Sequence, residues 1–210
     1  MSREDDAEAS LAELERFLSK QRLRPYLAQA RTPEEALRLY ETNIFLSAEF
    51  LVCAHFLEVA LRNEINHLLS AALGYDWFLS KGALLPVQEK QLQTAISQLR
   101  KKRKPVFPES ILTELPFGFW TALLSSGYER RQQYWRRHLH EGFTHRPAGY
   151  DRKQLHMRYN AMRDFRNRIA HHERILHYAP ERRLQECLEA TGWISPAVRA
   201  WAQRLLDKMP

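Results

Sequence analysis

The amino-acid sequence predicts an all-α protein, and three observations support this fold class. Only 7 of the 210 residues are Gly, while Leu, Ala, Glu, Gln, Lys and Arg dominate, a composition that suits helices because straight side chains lose little rotamer freedom there. No segment shows the alternation of apolar and polar residues that a half-buried strand requires. Apolar residues recur at helical spacing between Pro and Gly breakers instead. The length predicts one domain over residues 1–210 with a substantial core.

Two N-terminal helices are predicted from spacing and capping signals. Residues 7–20 carry apolar side chains on one helix face. These side chains are Leu11, Leu14, Phe17 and Leu18. In the segment RTPEEALRLY, Thr32 can cap a helix, Pro33 suits its first turn and Glu35 completes a capping box. A second helix is therefore expected to start in this segment.

The stretch from Asn43 to Leu73 is strongly apolar and is followed by Gly74. A helix that is apolar nearly all round is buried, so this stretch predicts the central helix, with Cys53 as a small core residue. We find no apolar run that is long enough and free enough of charge to span a bilayer. The acidic N-terminus has no apolar signal core. We therefore expect a cytoplasmic protein without a membrane partner.

The second half of the chain continues the helical pattern. Pro86 begins a helix that ends in the basic run RKKRK, residues 100–104, where cations suit the helix C-terminus. The segments PESILTEL and PFGFWTALLSS predict two short helices, and the aromatic residues of the second are expected in the core. Residues 128–141 predict a very basic helix. The remaining predicted helices cover residues 151–171, 181–191 and 196–208.

The charge balance favours a polyanionic partner. The chain has 32 Lys and Arg against 25 Asp and Glu, a net charge of +7, which favours nucleic acid before a membrane surface. Two groups of cations are candidate contacts to an RNA backbone, although each group is equally compatible with a solvated helix face. The first group is Arg100, Lys101, Lys102 and Arg103, and the second is Arg130, Arg131, Arg136 and Arg137.

The segment RDFRNRIAHHERI places an Arg, an Asn and a His together on the predicted helix over 151–171. On a helical wheel the core face is formed by Leu155, Tyr159, Met162, Phe165 and Ile169. Arg166 falls at the edge of this face, whereas Asn167 and His171 lie four residues apart and roughly opposite the core. A long guanidinium at position 166 can still curl toward the imidazole.

These three residue types suit the cleavage of RNA. The 2′-hydroxyl must lose a proton, the 5′-oxygen must gain one, and negative charge on the phosphorus oxygens must be stabilised. Histidine is the side chain suited to either proton transfer near neutral pH, and His171 is the candidate for it. Arg166 can bind two phosphate oxygens, and Asn167 can orient the imidazole or hold a phosphate oxygen. The cluster alone is also compatible with an ordinary solvated face.

The segment resembles the Arg-(four to six residues)-His motif of HEPN-domain ribonucleases in its Arg-Asn-x-x-x-His form. The chain as a whole resembles the Abi-like (abortive infection) family of bacterial HEPN proteins. The resemblance runs through YLAQARTPEEALRLYETNIFLSAEF, EVALRNEINHLL, LPFGFWTALLS and RNRIAHHERI, in that order. It implies a HEPN-like helical bundle with additional helices, in which residues 30–178 form the bundle core and residues 179–210 form C-terminal helices.

The resemblance also implies a function. It implies a metal-independent endoribonuclease, without cofactor, that acts in phage defence or as a toxin and leaves a 2′,3′-cyclic phosphate and a 5′-hydroxyl. By carry-over, His171 is the general acid or base, Arg166 stabilises the phosphate and Asn167 positions both. His172 and Glu173 belong to the family pattern AHHER, and His172 is expected to support the site rather than to react. The implied partners are RNA, a second copy of the chain in a homodimer, and an antitoxin protein.

A near copy of the motif lies in the predicted central helix, where Arg62, Asn63 and His67 repeat the Arg-Asn-x-x-x-His spacing. A buried charge must be paired, and Glu58 lies one helical turn before Arg62. We therefore expect Glu58, Arg62 and Asn63 to form a buried polar seam that supports the helix carrying Arg166. A second independent active site is the least favoured interpretation, while a cleft shared by the two motifs stays open.

Other functional classes find less support. The segment HERILH places its second His five residues after the first, whereas a zincin needs four, and no ligand spacing predicts a metal site. No glycine-rich phosphate loop and no nucleophile elbow are present. A non-catalytic HEPN module that binds RNA or a protein is the main alternative to the ribonuclease. A DNA-binding regulator is less favoured because no helix-turn-helix signature is evident.

Overall fold

The computed structural model describes residues 12–209, and over these residues it contains helices and no strand, which confirms the predicted all-α class. Leu11 lies outside the described residues. Three short 3₁₀ turns, Trp77–Leu79, Leu139–Phe143 and Leu176–Tyr178, join longer elements. The helices are α1 (residues 12–18), α2 (Lys20–Leu27), α3 (Pro33–Leu73), α4 (Pro86–Lys101), α5 (Pro108–Glu114), α6 (Phe117–Ala122), α7 (Ser126–Arg131), α8 (Tyr134–Arg137), α9 (Arg152–Ala170), α10 (Pro180–Ile194) and α11 (Pro196–Leu206).

Helix α3 is 41 residues long and joins two segments that the sequence suggested separately. It begins as expected, because the Thr32 hydroxyl accepts a hydrogen bond from the Glu35 amide at 3.2 Å. The Glu35 carboxylate accepts one from the Arg31 amide at 2.8 Å instead of from the Thr32 amide, so the predicted capping box does not close. No Pro or Gly interrupts the helix before Gly74, whose φ of 100° ends it. Because no breaker intervenes, the helix that begins after the Thr32 cap continues through the apolar stretch without interruption.

The expectation that α3 is buried on all sides is wrong. Its inner face is fully buried at Phe50, Cys53, Leu57, Leu61 and Ile65. The opposite face is exposed along much of its length, although α2, α9, α10 and α11 all pack against α3. The exposed side chains include Leu51, His55, Asn63 and His67.

The expectation that no segment is long and apolar enough to span a membrane also needs correction. By length and composition alone, α3 contains such a segment. In the structure the same helix supplies the centre of the packed core. The Phe50 ring packs edge-on against Phe165 of α9 at 4.6 Å between centroids, and α10 packs along α3 with the buried Cys187 and Leu188.

The predicted basic helix over residues 128–141 is broken into α7, α8 and a 3₁₀ turn. Positions 128 and 134 would lie about 120° apart round a straight helix, yet both tyrosines are buried and stacked at 5.6 Å. Tyr134 donates to the Ala83 carbonyl at 2.8 Å, and Tyr128 accepts from the Leu85 amide at 3.0 Å. Gln133 adopts a left-handed conformation, with φ of 56°, that turns the chain between them. Burial of both rings therefore overrides the helical propensity of this segment.

Candidate active site at the end of helix α9

Helix α9 is fixed in position by its cap and by its core face. The Asp151 carboxylate accepts from the amides of Lys153 and Gln154 at 2.6 and 3.1 Å, while the Gln154 side chain accepts from the Asp151 amide at 3.0 Å. The predicted core residues are all buried, which confirms the wheel assignment. They are Leu155, Tyr159, Met162, Phe165 and Ile169. The Tyr159 hydroxyl also donates to the Ala190 carbonyl of α10 at 3.0 Å. The rotation of α9 is thus set by packing, and its C-terminal turn carries the motif.

The structure brings two of the three motif side chains together. Arg166 and Asn167 are half-buried, and the Arg166 Nη1 donates to the Asn167 Oδ1 at 3.4 Å. The guanidinium therefore turns away from the core edge toward the amide. His171 is exposed and follows directly after α9, and its amide donates to the Asn167 carbonyl at 3.0 Å. The imidazole is thus open to solvent, and its link to the Arg–Asn pair is the backbone hydrogen bond to Asn167.

The turn after α9 has an unusual residue at its left-handed position. His172 has φ of 57°, its amide donates to the Ile169 carbonyl at 2.8 Å, and the Glu173 amide donates to the Arg168 carbonyl at 3.0 Å. This hydrogen-bond pattern is a Schellman motif, whose left-handed position is usually Gly. A side chain with a β-carbon is strained in this conformation. Backbone strain of this kind is concentrated at functional sites, where the surrounding structure maintains it.

Two residues that sequence reasoning missed hold this turn in place. Asn43 of α3 is buried, and its Oδ1 accepts a hydrogen bond from the Ile175 amide at 2.7 Å. Arg22 of α2 donates to the His172 carbonyl at 2.6 Å. In the sequence, Asn43 stands out only as a polar residue at the start of a long apolar stretch. Nothing in the sequence marks Arg22 as a residue that holds the turn. The loop at residues 171–175 is thereby anchored to two helices distant in sequence.

The loop separates two surface depressions of different character. One has a volume of about 400 Å³ and is lined by residues that include Arg22, His171 and Arg174. The other has a volume of about 290 Å³ and is lined by His172 together with apolar residues of α3 such as Ile44 and Leu51. The His171 side of the loop is polar and cationic, whereas the other side continues into the exposed apolar face of α3.

The predicted buried polar seam of Glu58, Arg62 and Asn63 does not form. Glu58 and Arg62 are only half-buried, and no ion pair within residues 12–209 involves either of them. The Arg62 Nε donates to the exposed Asn63 at 3.3 Å instead. Because one side of α3 faces solvent, these groups need no buried partner. Asn63 and His67 line a groove of about 930 Å³ between α3 and α11, rather than the depressions beside His171.

Both groups of cations lie on the surface, and the second group lies away from the motif. All eight side chains are exposed. Lys102 pairs with Glu114 at 2.8 Å, and Arg136 pairs with Glu129 at 3.2 Å. Arg136 lines a depression with Arg152, at the start of α9, so the second group lies near the opposite end of a 19-residue helix from the motif. A helix of that length spans about 28 Å.

Helix α9 carries one further histidine, His156, which is half-buried. His156 of α9 lies 2.7 Å from the Asn160 amide, and burial, followed by the charges of Arg152 and Arg163, lowers its pKa. This histidine therefore favours the neutral form. Within residues 12–209, no group of three or more His, Cys, Asp or Glu side chains is arranged to hold a metal ion.

Comparison with known proteins identifies one family. The family model described as Abi-like protein matches residues 11–177. The match spans α2, α3 and α9, so it includes the motif, the strained turn and both anchoring residues, and it stops before α10. No curated protein and no solved structure matches the chain. Since the matched region is more than half of the 210 residues, the chain belongs to the Abi-like protein family.

Proposed function

We propose that the protein is a metal-independent endoribonuclease of the HEPN type that acts in abortive infection or as a toxin. The observation that carries the proposal is the contact between the Arg166 guanidinium and the Asn167 amide, one turn before an exposed His171 on a strained and anchored turn. Membership of the Abi-like family supports the role in defence. The formal charge of +7 suits a polyanionic substrate.

In the proposed reaction the 2′-oxygen of the substrate attacks the adjacent phosphorus and the bond from phosphorus to the 5′-oxygen breaks. An imidazole takes the proton of the 2′-hydroxyl, and an imidazolium gives a proton to the departing 5′-oxygen. Arg166 stabilises the charge on the non-bridging oxygens. Asn167 holds the guanidinium through its Oδ1 and keeps its amide hydrogens for a phosphate oxygen. The products are a 2′,3′-cyclic phosphate and a 5′-hydroxyl.

The two proton transfers support a homodimer. One His171 per protomer can act as base or as acid in a single step, so two motifs facing one phosphodiester supply both roles. The exposed apolar face of α3 offers a contact for a second copy, since Ile44, Phe45 and Leu51 are 50, 54 and 41% exposed. Ile44 and Leu51 line the same depression as His172. A symmetric contact on this face brings the two motifs close to each other.

A non-catalytic RNA-binding module is the second candidate. It is favoured by the position of the second cation group, since Arg136 lies near the end of α9 that is remote from His171. Such a module binds the RNA backbone through these cations and needs no imidazole.

The test is cleavage of total RNA in the presence of EDTA by the purified protein and by two single variants, His171→Ala and Arg166→Ala. Each variant is expected to lose at least about 100-fold in rate, because a positioned acid–base group contributes about 10²–10⁴-fold and a group that stabilises the developing charge about 10²–10³-fold. His67→Ala, from the near copy of the motif, and Arg204→Ala, an exposed cation of α11, are the matched controls and should cleave normally. Cleaved 3′ ends should accept a poly(A) tail only after the cyclic phosphate has been removed enzymatically to leave a free 3′-hydroxyl. Equal RNA binding without cleavage in all versions supports the binding module instead.

A further inference from the structure

The turn that joins α4 to α5 combines exposed cations with an exposed aromatic ring. We call residues 100–107 the anchor turn. It contains the basic run RKKRK followed by Pro105, Val106 and Phe107. Val106 and Phe107 are 41 and 47% exposed. Cations that surround an aromatic ring are the combination with which proteins bind single-stranded nucleic acid, because phosphates need positive charge and every base offers a flat face for stacking.

Most of the charge in the anchor turn is unneutralised. Of its five cations, Lys102 alone forms an ion pair with another of residues 12–209, to both oxygens of Glu114 at 2.9 and 2.8 Å. The other four are exposed. They are Arg100, Lys101, Arg103 and Lys104. Four like charges close together repel one another and are stabilised by a polyanion.

The backbone of the anchor turn is fixed at both ends. Arg103 has φ of 53°, and the Lys104 amide donates to the Leu99 carbonyl at 2.9 Å, which closes the end of α4. At the other end the Phe107 amide donates to the Ser110 hydroxyl at 3.1 Å, and that hydroxyl lies 2.8 Å from the Pro105 carbonyl. A ring carried on a fixed backbone loses little further entropy on binding.

The anchor turn is linked to the motif through neighbouring contacts. The Lys102–Glu114 pair ties it to the end of α5, and α6 follows at Phe117. Gly118 of α6 faces the Arg163 side chain of α9. Asn167 lies four residues after Arg163 and therefore on the same side of the helix. These contacts connect the turn to α9 indirectly, through α5 and α6.

We propose that the anchor turn is a binding site for single-stranded RNA, in which the Phe107 ring stacks on a base and Lys101, Arg103 and Lys104 contact phosphates. The inference rests on the proposed function only in that the held strand is the one the motif cleaves. Bases in a duplex are already stacked and paired, so the site discriminates against double-stranded RNA. An anionic membrane surface is a poorer fit, since membrane-binding segments need a long apolar face and the turn offers two half-exposed apolar side chains.

The test is fluorescence anisotropy with a labelled oligouridylate of about 12 nucleotides, measured in the His171→Ala background so that the probe stays intact. Phe107→Ala should raise Kd about tenfold without changing its salt dependence, because it removes stacking and no charge. The double variant that combines Lys101→Gln and Lys104→Gln should raise Kd. It should also lower the slope of log Kd against log salt concentration by about 1.4, because each lost phosphate contact lowers it by about 0.7. The matched controls are Tyr75→Ala, which removes an exposed aromatic ring elsewhere, and Arg204→Gln with Lys208→Gln.

The outcomes separate this inference from the ribonuclease proposal. If the turn variants lose affinity for the oligouridylate and the parent protein binds little duplex RNA, the proposed RNA site is supported even if the protein cleaves no RNA. In an active protein the Phe107→Ala variant should raise KM for long RNA and leave the cleavage of a dinucleotide unchanged. The proposed role of the anchor turn in RNA binding is refuted if the Phe107→Ala variant binds the probe as tightly as the Tyr75→Ala variant does. It is also refuted if the same variants weaken binding to phosphatidylserine vesicles while RNA affinity stays constant.

Discussion

At the scale of single residues, His172 carries the least favourable backbone conformation of the motif. The left-handed position of a Schellman motif normally holds Gly, and His172 occupies it with φ of 57°. The strain is maintained by bonds made by its neighbours, including the Arg22 contact to its carbonyl. A residue kept in a strained position is a candidate for function, but its imidazole is not needed to form the turn.

Replacement of His172 by Gly separates the strain from the imidazole. His172→Gly should raise the free energy of unfolding by up to about 1 kcal/mol, because Gly adopts positive φ without steric cost. The measurement is urea unfolding followed by circular dichroism. His172→Ala removes the same imidazole but keeps the β-carbon and should show no such gain. If His172 only supports the site, both variants retain RNA cleavage within a few-fold, whereas a loss in both assigns the imidazole a chemical role.

At the scale of elements, the motif depends on two helices that lie far from it in sequence. α9 supplies Arg166 and Asn167, but the loop after it is held by Asn43 of α3 and Arg22 of α2. The Asn43 bond is the more demanding of the two because both partners are buried. Without the Asn43 side chain, the Ile175 amide would be buried with no hydrogen-bond acceptor, because water does not reach it.

Replacement of Asn43 by Ala should therefore lower both stability and activity. We expect the free energy of unfolding to fall by about 1–3 kcal/mol, the cost of an unsatisfied buried polar group, and RNA cleavage to fall with it. Thermal unfolding and a cleavage assay well below the melting temperature measure the two effects. Thr42→Ala, which removes an exposed hydroxyl bonded to the Arg38 carbonyl, is the matched control. Unchanged cleavage by folded Asn43→Ala protein would show that the anchor does not position the motif.

At the scale of the whole molecule, the uncovered side of α3 is the main feature that the packing leaves unexplained. Ile44 and Leu51, which line a depression together with His172, form an exposed apolar patch beside the motif, and Phe45 of the same helix is also exposed. Stable protein contacts bury about 800 Å² on each partner, and their centres are rich in such side chains. The proposed homodimer covers this patch and places a second motif nearby.

A charge at the centre of the patch should separate the protomers. Leu51→Glu is expected to give a particle of the 24.9 kDa protomer mass, where the unaltered protein gives twice that mass, because a carboxylate in an apolar contact is left unpaired. Light scattering after gel filtration measures the mass, and cleavage should be lost together with the dimer. Leu79→Glu, at an apolar position that is 48% exposed elsewhere, should change neither. A dimer that survives Leu51→Glu places the contact on another face.

The sequence by itself determined the helical class, the N-cap of α3, the end of α3 at Gly74 and the core face of α9. It also supplied the resemblance that pointed to Arg166, Asn167 and His171. These features depend on residues within one or two helical turns of one another, so the local order of the chain carries the signal.

The tertiary structure alone decided which faces are covered and which side chains meet. It left one side of α3 open, so Glu58 and Arg62 need not pair, and it broke the predicted helix at Gln133 to bury two stacked tyrosines. It also anchored the motif loop to Asn43, 132 residues before Ile175. The physical reason is that burial and hydrogen bonding between distant segments depend on how the helices pack, and propensity and periodicity within a segment do not encode that packing.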